Sequence, residues 1–379
     1  MDNKDMQKIL NPKDAMFVPS DTPWKKGTDS FVSTNTNCVI YSIIENIERI
    51  VASYGIDADD WSEAISSQYF LLCLAEKLQH KDEDYKKLLN KCLSNFRIKY
   101  TGELILDNES LLITPGETTR IIECMKNEDE SDNYYRKKAK TRADNIDSQR
   151  MYINFHYGLL IKIVSSEDTK TLRLIKHTCL DKLINEKSID PSGGWYPYRV
   201  PWITARILIS IKSIDYSSYT NKDNVNKTVK KALRSLYDRI YVKAPYWRSG
   251  VGNWVSRWES TGLCLEALFV WEEIESKKDK IEQIINYIFR EENRIEWLNN
   301  IISFETEESA NNVLASVILA SVVFRVTKMY FQTIYKQYVN EIISFFESVI
   351  DVILNQNVKA VLQYCTVPQI LYYVLSALE

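Results

Sequence analysis

The chain has 379 residues, of which 45% are hydrophobic and 26% charged, enough apolar material for one large core that needs neither disulfide nor metal to hold it. Its 48 basic and 51 acidic residues leave a net charge of -3, which is poorly matched to an anionic partner such as duplex DNA or an acidic membrane surface. Ten glycines and nine prolines provide little for a turn-dense β architecture, so an all-α class is expected.

In chain order, the opening stretch Met1 to Lys8 is polar and has no apolar export core, and residues 1–20 read as an N-terminal extension to a single domain over 21–379. No run reaches the roughly 20 apolar residues that would span a bilayer. A cytoplasmic protein without a transmembrane segment is expected. Apolar residues then recur at helical spacing over 36–52, 61–79, 83–97, 117–127, 148–164, 168–186, 201–215, 223–240, 259–276, 278–291, 307–326, 328–353 and 366–378. Between them, residues 99–115 carry two short apolar runs around Asp107 and Asn108, the pattern of a β-hairpin. The stretch 127–142 switches from acidic (Glu128 to Asp132) to basic (Arg136 to Arg142), as an exposed segment does, and no composition break divides the chain in two. The seven cysteines are scattered and mostly lie inside apolar helical stretches, as reduced core thiols do.

Two segments echo one another. Gly193 to Ile211 (GGWYPYRVPWITARILISI) and Gly250 to Phe269 (GVGNWVSRWESTGLCLEALF) each carry paired or nearly paired glycines, a tryptophan, an arginine, a second tryptophan and a threonine opening an apolar helix. The threonines, Thr204 and Thr261, stand 57 residues apart, and weaker echoes occur over 22–44, 296–320 and 361–378. A Thr or Ser before each helix can cap first-turn amides, and a period of roughly 50 to 60 residues fits one helical hairpin per repeat.

The Gly-Gly-Trp stretch followed by Thr-Ala and an apolar helix resembles the repeat of the squalene-hopene cyclase and protein prenyltransferase β-subunit superfamily. The resemblance implies an α/α toroid, in which six inner helices are wrapped by six outer ones, and the chain length fits one such ring. It also implies an isoprenoid or another apolar-anionic ligand in a central cavity. Asp57, Asp59 and Asp60 (DADD) resemble the acid motif of class II terpene cyclases, in which crowding keeps one carboxyl protonated. In that family the motif precedes an inner helix; here it follows the first helix and opens the next, where the same carboxylates serve as caps for a helix starting near Trp61. The overlapping DDWSE resembles a class I metal-diphosphate motif, which would bring magnesium with a diphosphate substrate, but no downstream partner motif accompanies it. No other cofactor is expected, and His80, His156 and His177 lack zinc-site spacing.

The ligand-binding candidates come from the repeat loops: Trp195, Tyr198, Arg199, Trp202 and Arg206 in one, and Arg248, Trp254, Arg257, Trp258 and Glu259 in the other. Aromatic rings suit an isoprenoid chain or a cation, and guanidinium forks suit phosphates. The same set suits a peptide carboxylate or an extended peptide. It also suits a purely structural role, with tryptophans plugging loops and Arg257 pairing with a carboxylate. Two functions from different classes stand side by side: an enzyme of terpene cyclase-like or prenyl-transfer chemistry, and a noncatalytic scaffold or adaptor for a protein, peptide or small signal. In the scaffold reading, residues 222–239 or 127–142 form the contact surface.

Overall fold

A computed structural model describes residues 34–54, 201–241, 244–248, 256–298, 302–355 and 367–379, with single positions inside 70–78 and 177–195. The expected extension over 1–20 and the expected hairpin over 99–115 lie outside the described residues, as do the helices expected over 83–97, 117–127 and 148–164. Described positions inside 70–78 and 177–184 are helical.

Among the described residues there are nine α-helices, one 3-10 turn and no strand. They are α1 (Thr34–Tyr54), α2 (Pro201–Lys212), α3 (Lys222–Asp238), α4 (Arg257–Val270), the 3-10 turn Glu275–Lys277, α5 (Lys278–Ile288), α6 (Glu291–Leu298), α7 (Glu307–Tyr330), α8 (Gln332–Asn355) and α9 (Val367–Leu378).

Two kinds of helix alternate. α3 and α5 are one-sided: α3 buries Val225, Val229, Ala232, Leu233 and Leu236 while Lys222, Lys227, Lys230, Lys231 and Arg234 face solvent. α5 buries Ile281, Ile284, Ile285 and Ile288, the spacing of a single apolar stripe. By contrast α4 is buried without interruption from Trp258 to Leu268, except at Glu259, and α9 buries ten of its residues. The buried helices α2, α4, α7 and α9 pack one against the next in that order, with α3 against α2 and α4, α8 against α7, and α1 against α8 and α9. Gly262 sets the closest approach in this series: a Cβ there would lie 2.9 Å from Ile318 and 3.1 Å from the Leu319 backbone of α7. Contrary to the expectation that no run is long enough, residues 308–330 of α7 are long and apolar enough to cross a bilayer, and most of that stretch is buried against the other helices.

A repeated joint ties successive helices together. Trp195, Trp247 and Trp297, spaced 52 and 50 residues apart, are buried to 1%, 0% and 0% exposure. Each indole N–H donates to a carbonyl of the preceding helix: Trp195 to Leu183 at 2.8 Å, Trp247 to Leu236 at 2.7 Å and Trp297 to Ile288 at 3.0 Å, the last two near the helix end. The Ile288 carbonyl, at the last residue of α5, is one that a helix C-terminus leaves without an intrahelical partner, while the Leu236 carbonyl also accepts from the Arg239 N–H at 3.2 Å. In the first two joints the tryptophan backbone N–H also donates to a threonine inside the next buried helix, Trp195 to Thr204 at 3.4 Å and Trp247 to Thr261 at 3.2 Å. Isolated bridges, Ile189 with Trp195 and Ile240 with Trp247, complete each turn. The sequence repeat therefore has its threonines in register, but the structural counterpart of Trp195 is Trp247 rather than Trp254. Gly193 is required in the first joint, since its φ is +108° and a Cβ would stand 2.4 Å from the Lys231 carbonyl oxygen.

Helix ends differ from the sequence expectation where local chemistry intervenes. The helix expected over 259–276 stops at Val270, because Glu272 turns to φ 60° and the Glu272 and Glu273 amides donate back to Phe269 and Leu268 at 3.0 and 2.9 Å, a Schellman ending. The single helix expected over 278–291 breaks at Phe289 and Arg290. A separate helix α6 follows, tied back by the Asn293 amide donating to the Tyr287 carbonyl at 2.7 Å.

Two outcomes follow for stability. Glu272→Gly removes the cost of a left-handed non-glycine residue, and urea denaturation is expected to give a gain of roughly 0.5–1 kcal/mol. Trp247→Phe takes one of two donors from the Leu236 carbonyl, which keeps the Arg239 N–H at 3.2 Å, and leaves a void beside it, and the same measurement is expected to give a loss of about 2 kcal/mol.

Candidate functional site

Charged side chains inside otherwise apolar helices form a chain across all four buried helices. Arg206 projects from α2. It lies 3.9 Å from Glu259 in the first turn of α4 and donates to the Tyr373 phenol oxygen of α9 at 3.1 Å. Tyr373 in turn donates to Glu266 at 2.8 Å, and Glu266 accepts from Arg325 of α7 at 3.3 Å. Glu259 and Glu266 are seven residues apart and so share a face of α4. Ser321, one turn before Arg325, donates to the Tyr373 carbonyl at 2.6 Å and ties α7 to α9. Rings surround the cations: the Arg206 guanidinium is 5.2 Å from the Phe70 ring, and that of Arg325 is 5.5 Å from the Phe269 ring.

Burial sets the protonation of this chain. Loss of water pushes the Glu259 carboxyl from 4.5 up to about 7, outweighing the opposing pull of Arg206. Burial also holds the Tyr373 phenol well above its ordinary value, with Arg206 pulling down and Glu266 pushing up. Tyr373 therefore remains a phenol, able to accept from Arg206 and donate to Glu266 at once.

The sequence candidates divide among different places. Arg206 and Glu259 are brought together in the interior. Trp195 is a joint tryptophan, and Trp202 is half-buried against the core. Arg248, Arg257 and Trp258 gather instead where the connection from α3 enters the first turn of α4. There the Arg248 guanidinium stacks 3.6 Å from the Tyr241 ring, and that of Arg257 lies 4.4 Å from the Trp258 ring and pairs with Glu296. Tyr198, Arg199 and Trp254 lie outside the described residues, as do Asp57, Asp59 and Asp60. Among the described residues, no three His, Cys, Asp or Glu side chains group as metal ligands would.

Sequence reading missed Glu266, Arg325 and Tyr373. The first two had a usable signal, because each is the one charge in a long apolar stretch, TGLCLEALFV and ASVVFRVT. An ionic residue so placed must find a partner or neutralise. Compared with protein-family models, curated proteins and solved structures, the chain finds no match in any of the three.

The raised Glu259 carboxyl has a consequence for stability against pH. Below about 4.5 the folded and unfolded chains both hold this proton. Between about 4.5 and 7 only the folded chain does, so stability falls as pH rises, by at most ~1.4 kcal/mol per pH unit, and the loss is complete above about 7. Glu259→Gln mimics the protonated state and is expected to flatten this slope. In urea denaturation the variant should match the parent at pH 4.5 and exceed it at pH 8 by roughly 3 kcal/mol at most.

Proposed function

We propose that the chain is a ligand-binding α/α toroid of the terpenoid cyclase and prenyltransferase kind, holding an apolar molecule with an acidic head group, such as an isoprenoid diphosphate, along its buried helices. The observation that carries this reading is the chain Glu259, Arg206, Tyr373, Glu266 and Arg325. Buried ion pairs contribute little net stability and are often exchanged for apolar residues without loss, so two of them joined by a phenol point to a use beyond folding. The alternation of one-sided and fully buried helices, with a tryptophan joint about every 50 residues, supports the toroid part of the reading.

Within this reading Arg206 is the head-group residue. Its separation from Glu259, 3.9 Å, is long for a hydrogen bond and can be exchanged for a direct contact with an incoming acid. Proton uptake by Glu259 near neutrality weakens the competing carboxylate. The rings of Phe70 and Tyr373 beside the guanidinium suit the apolar body of such a ligand. If the ligand is transformed, Glu259 is the acid best placed to supply a proton, since it retains one near pH 7.

A second reading, a noncatalytic scaffold, is favoured by one feature: Arg325 already meets a carboxylate of its own chain, and Arg206 lies near one. In that case the network fixes helix register and binds nothing.

Thermal shift with farnesyl diphosphate, with and without magnesium, separates the two. The ligand reading expects a rise in melting temperature that is lost in Arg206→Gln and kept in Arg257→Ala. No rise with farnesyl diphosphate, or a rise insensitive to Arg206→Gln, overturns it and leaves the scaffold.

A further inference from the structure

A second polar–aromatic assembly lies apart from the interior network, on the turns that join α3 to α4 and α5 to α6. The Tyr241 and Tyr246 rings are 5.4 Å apart, and Tyr246 stacks on Tyr287 at 5.8 Å with 18° between the planes. Beneath them, Trp258 meets Tyr287 at 6.5 Å. The ladder is edged by cations: Arg248 stacks on Tyr241 at one end, and Arg290 sits 5.4 Å from the Tyr287 ring at the other. Arg248 and Arg290 are exposed, while the three tyrosines are half-buried, so ring and guanidinium surfaces both reach solvent.

Three properties separate this surface from a solvated run of charges. Stacking on a ring fixes each guanidinium before anything binds, which removes part of the ordering cost of a contact. Among the described residues neither Arg248 nor Arg290 lies within ion-pair distance of a carboxylate, whereas Arg257, Arg294 and Arg325 each do. Tyr, Trp and Arg are also the side chains that carry most binding energy at protein interfaces.

We propose that this ladder is a docking surface for an extended acidic peptide segment of a partner protein, its carboxylates meeting Arg248 and Arg290 and its backbone and side chains lying along the tyrosine rings. Charge complementarity selects an acidic occupant. A peptide fits better than single-stranded nucleic acid, which also favours cations interleaved with rings. Glu291, Glu292 and Glu296 are exposed on α6 beside the ladder and would repel a continuous line of phosphates. A peptide whose carboxylates are spaced by other residues can avoid them.

The test is fluorescence anisotropy of the full chain with a labelled peptide of alternating Asp or Glu and Tyr or Phe, beside its Lys-substituted counterpart and an oligothymidine. Saturable binding of the acidic peptide alone is expected, weakened about tenfold or more in Arg248→Ala/Arg290→Ala, with circular dichroism melts unchanged. Lys230→Ala, an exposed basic residue on α3, serves as the control for general charge and should leave binding intact. No saturable binding up to about 1 mM overturns the proposal, as does equal binding of the Lys peptide or an equal loss in Lys230→Ala. Tighter binding of the oligothymidine, lost in the same double variant, replaces the peptide with single-stranded nucleic acid.

Discussion

An indole N–H pointing at the last turn of a helix is a small interaction, yet the arrangement of this chain hangs on it. Helix ends leave carbonyls that water would otherwise take up, and burying such an end without a donor is costly. Trp247 and Trp297 answer that need, and with Trp195 they fill the space beneath each turn with the largest apolar side chain available. In the first two joints the same residue's backbone reaches a threonine inside the next buried helix; neither Thr204 nor Thr261 caps a helix start as expected, since α2 begins at Pro201 and α4 is capped by Ser256. One residue thus ties the preceding helix, the turn and the next buried helix together. Gly193 belongs to the same joint, since any side chain there would meet the Lys231 carbonyl.

With the helices so placed, the charges they carry are brought to one another. Glu266 and Arg325 would each be expensive alone in the middle of an apolar helix, and the packing of α4 against α7 and of α7 against α9 makes them partners. Tyr373 extends the pair to Arg206, and a single phenol there connects three helices. A shift of one helix by a turn would leave charges buried without partners. The network therefore specifies register as well as offering a polar surface to a ligand.

How much of this was legible beforehand depended on whether a signal was periodic or spatial. The one-sided helix α3 and the buried helix α9 are written in their apolar spacing, as is the threonine repeat at Thr204 and Thr261. The break between α5 and α6 was not, because it rests on an Asn293 side chain bonding back to Tyr287 and on no proline or glycine. Nor was the end of α4, where Glu272 occupies a conformation that usually belongs to glycine. Among the candidates for the site, Arg206 and Glu259 do meet, though they come from different repeats. Tyr373 could not have been chosen from one sequence, since nothing local distinguishes it from Tyr372 beside it.

The two complete joints differ in length. Nine residues separate Trp195 from Thr204, and fourteen separate Trp247 from Thr261, while the bonds at each end are the same. A segment clamped at both ends by identical contacts can grow or shrink between them at little entropic expense. Such a segment tolerates a change of length between its clamps while the helices it joins keep their places. Arg248 and Arg257 both fall inside the longer one, so the added length is what brings cations onto the Tyr241 and Tyr246 rings.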